Sequence, residues 1–162
     1  MKVPKSMLFV TSVFLAGTLF MMSAAAAADS GTCQLTKAKI SGTYGFSATG
    51  QALATIPDFV TQGPFAQAGT VIIVPTVSDE ATIEGTWQAS LIQQDSSGPP
   101  ASLTFGGTFS VNRETCVGDF ALAVPFPPTW GFVVVFVAHG DEVRTIAKIP
   151  NVIISYTSAK KL

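Results

Sequence analysis

Short alternations of apolar and polar residues, separated by turn-forming residues, constrain the fold of this chain more than any other feature. Between residues 83 and 91, Ile83, Trp87 and Leu91 share one face, and the residues between them are mostly polar. Phe105 and Phe109 alternate in the same way with serines and threonines. A period of two is typical of a strand with one buried and one solvated face. After residue 28 no helical spacing of apolar residues is sustained, so the chain is predicted to be all-β.

We predict eight strands, joined by short links rich in Gly, Pro, Asn and Asp, at residues 40–51, 66–74, 81–93, 101–111, 116–124, 131–138, 142–149 and 152–158. Sequential antiparallel strands must protect their edges, and closure into a barrel removes the edges completely. The predicted architecture is therefore a single eight-stranded antiparallel β-barrel, with a two-sheet β-sandwich as the alternative. The longest link, residues 52–65, is long enough to be a functional loop or lid.

The first 28 residues indicate where the chain works. Two lysines are followed by an apolar run from residue 7 to residue 22, and then by small residues that end at Ala28. This order is typical of a secretory signal peptide cleaved before Asp29. An uncleaved membrane anchor is the alternative, because residues 7–28 could just span a bilayer. Cleavage would leave residues 29–162 as one β-barrel domain in the periplasm or outside the cell.

The charges and cysteines of residues 29–162 exclude several classes of function. Seven basic and ten acidic residues give a net charge of about −3, and the only basic cluster is Lys160-Lys161. Binding to nucleic acid or to an anionic membrane is therefore not expected. An even pair of cysteines in an exported chain favours a disulfide between Cys33 and Cys116. Two cysteines and one histidine are too few for a zinc site, and we predict no metal or cofactor.

Several motifs resemble those of a known group of proteins. They are Cys33, Gly42-Thr43-Tyr44-Gly45-Phe46, a Gly-Thr-Phe-Ser-Val-Asn run at 107–112, and Cys116-Val117-Gly118. This set resembles small secreted bacterial proteins of unknown function that carry a Gly-Thr-Tyr-Gly-Phe motif. The resemblance implies a calycin-type β-barrel, similar in architecture to allene oxide cyclase and dirigent barrels. It covers most of residues 29–162 and implies no catalytic residues.

The sequence offers few groups for chemistry. His139 is the only histidine and lies in a turn, without the serine or cysteine arrangement of a nucleophilic site. We therefore predict no catalytic residue. The candidate ligand-binding residues are Tyr44 and Trp87 as walls of a pocket, and Glu84 and Arg144 as its polar groups. Both charged residues have a simpler interpretation as exposed side chains on the solvated face of a strand.

Three functions are compatible with these features. The leading hypothesis is a secreted or periplasmic barrel that binds a small apolar or amphipathic molecule. This hypothesis favours a binding protein over an enzyme. The second is a cofactor-free isomerase or cyclase of the allene oxide cyclase kind, in which a dry pocket folds the substrate. The third is a structural envelope protein. The segment from Phe132 to Ala138 is apolar on both faces, so it could be the interface of a homo-oligomer.

Overall fold

The chain folds into a closed barrel of eight antiparallel strands. The computed structural model describes residues 33–162 except 97, 124 and 128, so the predicted signal peptide lies outside the described residues. The strands are β1 (Gly42–Ala52), β2 (Gly63–Ser78), β3 (Thr82–Gln94), β4 (Ala101–Asn112), β5 (Val117–Leu122), β6 (Gly131–Val137), β7 (Glu142–Ala147) and β8 (Val152–Lys161). Each strand pairs with the next, and β8 pairs with β1. The predicted barrel is confirmed, and the sandwich alternative is wrong.

The alternation in the sequence becomes the inside and outside of the barrel. Along β3, Ile83, Trp87 and Leu91 are buried, while Glu84 and Gln88 are exposed. Strand β4 follows the same rule, because it pairs with β3 residue by residue from Thr82 opposite Asn112 onwards. Side chains of one parity therefore form the core, and those of the other parity meet solvent.

The elements depart from the predicted boundaries where the backbone is irregular. Strand β2 extends beyond the predicted residues 66–74 and contains Pro75, at which the pairing with β3 shifts register. A bulge accommodates a proline that cannot donate to a ladder. A single helical turn, α1 (Lys37–Ile40), precedes β1, and the Thr36 hydroxyl accepts a bond from the Lys39 amide at 3.3 Å. One turn is too short to produce a periodic pattern, so the sequence did not predict it.

Gly50 is required at a close approach between strands. It lies opposite Phe65 on β2, and the pairing of β1 with β8 shifts register between Thr49 and Gly50. A side chain at this position would collide with the ring of Phe65. Glycine therefore lets an aromatic ring lie against the backbone at a bulge, as a small barrel needs where its wall bends.

One end of the barrel, here called the closed end, is sealed by the N-terminal segment, residues 33–41. The predicted disulfide between Cys33 and Cys116 is present, with its Cα atoms 5.8 Å apart. Arg113 reinforces it, because its Nε donates to the Leu35 carbonyl at 3.1 Å. Lys161 Nζ donates to the Lys39 carbonyl at 2.8 Å and so ties the end of β8 to α1. These contacts join both ends of the domain to its middle.

The opposite end is covered by residues 53–62, here called the covering loop. Ile56, Phe59 and Val60 are buried, and Phe59 meets the ring of Phe105 at 5.7 Å between centroids. The buried amide of Gln93 donates to the Phe59 carbonyl at 2.8 Å and holds the loop in place. The segment predicted as a functional loop is thus a packed cover over this end of the barrel.

Strand β6 is apolar on its inner and on its outer face. Phe132, Val134 and Phe136 point inward, and the valines between them are half-buried on the outside. Arg144 lies opposite Val135 on β7, and Glu142 opposite Val137. The apolar stems of such charged side chains cover neighbouring apolar surface while their heads stay in water. The outer valines of β6 are therefore already half-buried within the single chain.

Candidate functional site

A cavity lies on the axis of the barrel, between the closed end and the covering loop. Its volume is about 70 Å³, and all eight strands contribute to its wall. The described side chains that line it are all uncharged. Five of them are aromatic: Phe46, Trp87, Phe105, Phe120 and Phe132. Phe46 and Ala48 on β1 both point inward and line this cavity.

Trp87 is the centre of the aromatic wall. Its ring stacks on Phe120 with centroids 5.4 Å apart, and it meets Phe105 and Phe132 edge to face at 5.8 and 6.0 Å. The indole Nε1 donates to the Thr108 carbonyl at 3.1 Å, which fixes the orientation of the ring. Of the four predicted ligand-binding residues, Trp87 is the one that lines the cavity.

Tyr44 lies at the closed end instead. Its side chain is fully buried, and its hydroxyl donates to the Gly140 carbonyl at 2.7 Å and contacts the Ile40 carbonyl at 3.1 Å. Burial, with a smaller contribution from the charge of Asp141, raises the pKa of Tyr44 to about 12. Tyr44 therefore acts as an internal brace between α1 and the turn before β7, and it is not among the residues that line the cavity.

The two charged candidates lie on the outside of the barrel. Glu84 is exposed on the outer face of β3. Arg144 is exposed on β7, where its Nε contacts Glu142 Oε1 at 3.0 Å. Neither residue lines the cavity. Because a side chain on a strand points to one face only, neither can act on a molecule inside the barrel without a change of register.

Three polar side chains that the sequence did not single out line the cavity: Gln67, Thr145 and Thr157. The Gln67 amide donates to Gln93 Oε1 at 2.6 Å, so this residue connects the cavity to the bond that holds the covering loop. Thr157 Oγ1 is buried and has no hydrogen-bond partner in the described part of the chain. A buried hydroxyl without a partner costs about 1–3 kcal/mol, and a polar group brought within hydrogen-bond distance of Thr157 Oγ1 would remove that cost.

The inward direction of Thr157 depends on a bulge. Ile154 and Thr157 both line the cavity although three positions separate them, because the pairing of β8 with β1 skips Ser155. A strict period of two would have turned one of these two side chains outward. The sequence carries no clear signal for this bulge, which explains why Thr157 was not predicted.

Within residues 33–162, apart from the three positions left undescribed, no helix is long and apolar enough to cross a membrane. The same residues contain no group of three or more His, Cys, Asp or Glu side chains that could hold a metal ion. Comparison with models of protein families, with curated proteins and with solved structures finds no match.

Proposed function

We propose that this protein is an exported binding protein for a small, neutral, mainly apolar molecule that occupies the axial cavity. The observation that carries the proposal is the aromatic and aliphatic wall, in which every described lining side chain is uncharged. Binding sites for small molecules are typically apolar concavities with a few polar groups that fix orientation. Gln67, Thr145 and Thr157 are such groups here.

The size of the cavity limits the ligand. A volume of about 70 Å³ corresponds to roughly two waters at about 30 Å³ each, and it is about half of the ~150 Å³ of an apolar cavity that holds benzene. A group of a few non-hydrogen atoms therefore fits inside it, such as one end of a short alcohol. We infer a compact ligand, or one small end of a longer molecule.

Thr157 suggests what the ligand carries. Its hydroxyl is buried and unpartnered, and a hydroxyl or carbonyl group on the ligand would satisfy it. A carboxylate or an ammonium group would be poorly held, because burial of a charge without an opposite charge is costly. We therefore infer a neutral ligand with one group that can form a hydrogen bond.

Features of the sequence support the proposed compartment and ancestry. The signal-peptide pattern of residues 1–28 supports a location in the periplasm or outside the cell. The disulfide between Cys33 and Cys116 supports an oxidising compartment. A closed eight-stranded barrel is also the architecture that the Gly-Thr-Tyr-Gly-Phe motif at 42–46 implies. We include membership of that group of small secreted barrels in the proposal.

The two rival functions draw less support from the fold. A cyclase of the kind predicted would use Glu84 and Arg144 as polar groups, and both lie outside the barrel. Assembly through the segment from Phe132 to Ala138 would use the outer face of β6. The valines of that face are already half-buried in the single chain, and the charged Arg144 lies opposite Val135. Binding in the cavity is the hypothesis that uses the residues brought together there.

The test is binding of 1-hexanol and benzene to a Trp130→Phe protein, in which Trp87 is the one remaining tryptophan. Both probes are neutral and compact, and only 1-hexanol can bond to a hydroxyl. We expect each to shift the emission of Trp87 with a saturable dose dependence, and hexanoate to bind at least tenfold more weakly than 1-hexanol. Native mass spectrometry of the exported protein would identify a natural ligand retained during purification.

Thr157→Val tests the polar contact. Loss of one hydrogen bond of about 1 kcal/mol should weaken 1-hexanol binding about fivefold. Benzene binding should be unchanged, and Thr157→Ser should bind 1-hexanol as the parent does. Absence of saturable binding for both probes would refute the proposed function. Equal losses for both probes in Thr157→Val would refute only the role of the hydroxyl.

A further inference from the structure

The number of paired residues differs widely from one pair of neighbouring strands to the next. Seven of the barrel's eight ladders contain between five and twelve residue pairs. The ladder between β7 and β8 contains two, Glu142 with Lys160 and Val143 with Ala159. Strand β7 pairs with β6 along its whole length, and β8 pairs with β1 from Val152 to Lys161. Each of the two strands is therefore held by its other neighbour, β6 or β1. The line between β7 and β8, here called the seam, is closed by backbone pairing only near the closed end.

The unpaired part of the seam lies beside the cavity. Continuation of the register beyond Val143 and Ala159 would place Thr145 opposite Thr157, and both side chains line the cavity. The unpaired stretch of β7 is the four residues from Arg144 to Ala147, which corresponds to about 13 Å at roughly 3.3 Å per residue. At the other end of the seam, a turn joins β7 to β8, and in this turn the Val152 amide donates to the Ile149 carbonyl at 3.2 Å.

The two ends of the barrel are more firmly closed than the seam. The closed end is held by the disulfide and by the bonds of Arg113 and Lys161. The covering loop is held by Gln93 and by the packing of Phe59 on Phe105. A small molecule that enters at the seam needs to displace side chains alone, whereas entrance at either end requires the loss of buried packing or of the bonds that hold it.

Apolar residues flank the outside of the seam. Ile146 on β7 is 68% exposed, which makes it more exposed than any other isoleucine in the described part of the chain. Ile153 on β8 is 52% exposed. Large apolar side chains at the rim of an opening provide a first contact for an apolar molecule that leaves water.

We propose that the seam between β7 and β8 is the entrance to the cavity, through which a small neutral molecule passes Ile146 and Ile153 on the outside and Thr145 and Thr157 on the inside. This inference rests on the proposed binding function. It assigns to Thr157 a position at the inner edge of the entrance, where a polar group of the ligand would meet it first.

The experiment joins the two strands across the seam. Arg144→Cys and Ser158→Cys occupy the register position next to the last observed pair, and dibromobimane, a short reagent for two thiols, links them. The matched control carries Thr86→Cys and Thr108→Cys, a register pair on the exposed faces of β3 and β4, linked in the same way. The unlinked double variants show the effect of the substitutions alone, and peptide mapping confirms that the native disulfide is intact.

The readout is the exchange rate of 1-hexanol, from NMR line shapes of the methyl groups of Ile154, together with its dissociation constant. We expect the seam link to slow exchange at least tenfold and to leave the dissociation constant within a factor of two. The control link should change neither quantity. Unchanged exchange in the linked seam would refute the entrance, as would a weaker affinity at an unchanged rate.

Failure of the underlying binding function has a different signature. In that case 1-hexanol binds to none of the proteins, including the unmodified one. A second copy of the chain that associates with the unlinked protein and is lost on linking would instead make the seam an interface, and this result would also refute the entrance.

Discussion

The closed end and the cavity wall are built from the same strands, yet they are packed in different ways. Most of the large side chains with less than 2% exposure, such as Tyr44, Ile83 and Val111, lie nearer the closed end and do not line the cavity, although one of them, Ile73, does. Around the cavity, side chains such as Phe46 and Ile154 point inward and are still only half-buried. Complete packing stabilises one half, and incomplete packing leaves room for a ligand in the other. Stability and binding should therefore respond to different substitutions.

The largest expected effect is on the covalent tie of the closed end. Replacement of Cys33 and Cys116 by Ala opens a loop whose ends are 83 positions apart in sequence. We expect the free energy of unfolding to fall by about 4 kcal/mol on the loop-entropy estimate. The affinity for 1-hexanol should change less than twofold, because neither cysteine lines the cavity. Denaturant titration with parallel binding assays measures both, and a strong loss of affinity in a folded variant would break the separation.

Two isoleucines, Ile83 and Ile154, allow the packing of the two regions to be compared directly. Ile83 has no exposed surface, whereas Ile154 lines the cavity and is partly exposed. Ile83→Ala should cost about 3–4 kcal/mol of unfolding free energy, near the upper part of the range for such truncations, because it creates a hole in a filled region. Ile154→Ala should cost about 1–2 kcal/mol, because fewer contacts are lost.

The effects of the two substitutions on ligand binding should follow the opposite order, with the larger effect for Ile154→Ala. Ile154→Ala enlarges the cavity, so the preferred alcohol should lengthen from 1-hexanol to 1-octanol, and Ile83→Ala should leave the preference as it is. Thermal or urea unfolding and the titration of Trp87 emission provide the two measurements. Equal losses of stability would mean that the two halves are packed alike.

The smallest expected effect concerns Tyr44 and is dependent on pH. Tyr44→Phe removes a hydroxyl that contacts two carbonyls at the closed end, at a cost of about 1–2 kcal/mol near neutral pH. The pKa of Tyr44 is raised from 10.0 to about 12 in the folded protein. Between these values the unfolded chain releases the proton while the folded chain keeps it, so the stability from Tyr44 is present below pH 10 and is lost as the pH rises towards 12.

The stability curves of the parent and of Tyr44→Phe should therefore converge between pH 10 and pH 12. Urea unfolding at half-unit steps of pH measures the difference, and contributions from groups common to both proteins cancel. Parallel curves across this range would show that the Tyr44 hydroxyl is not held in its protonated form by the fold.

The outcome for individual residues shows what alternation in a sequence encodes. The period of two gave the inward direction of Trp87 and Phe109 and the outward direction of Glu84, because it reports which face of the sheet a side chain occupies. It does not report height along the barrel axis. Tyr44 and Phe46 therefore share a parity, yet Tyr44 lies at the closed end and Phe46 in the cavity wall.

The residues that were not predicted owe their positions to features of the fold that a period of two in the sequence does not show. Thr157 faces inward because β8 bulges at Ser155, and this bulge follows from pairing with a strand at the other end of the chain. The cavity itself depends on how eight inward faces fill a common space. Pairing over long sequence distances decides that volume, and no local pattern records it.

The unequal seams also determine the order in which the barrel can assemble. Strand β8 is held mainly by β1, and these pairs join residues 100 or more positions apart, such as Ala52 with Val152. Contacts between residues so distant in sequence carry a high loop-closure cost and form slowly. Until β8 arrives, the first strand and the last both present open edges, and open edges template pairing between chains. A newly made chain is therefore most vulnerable to aggregation in the interval before its final ten-residue strand docks.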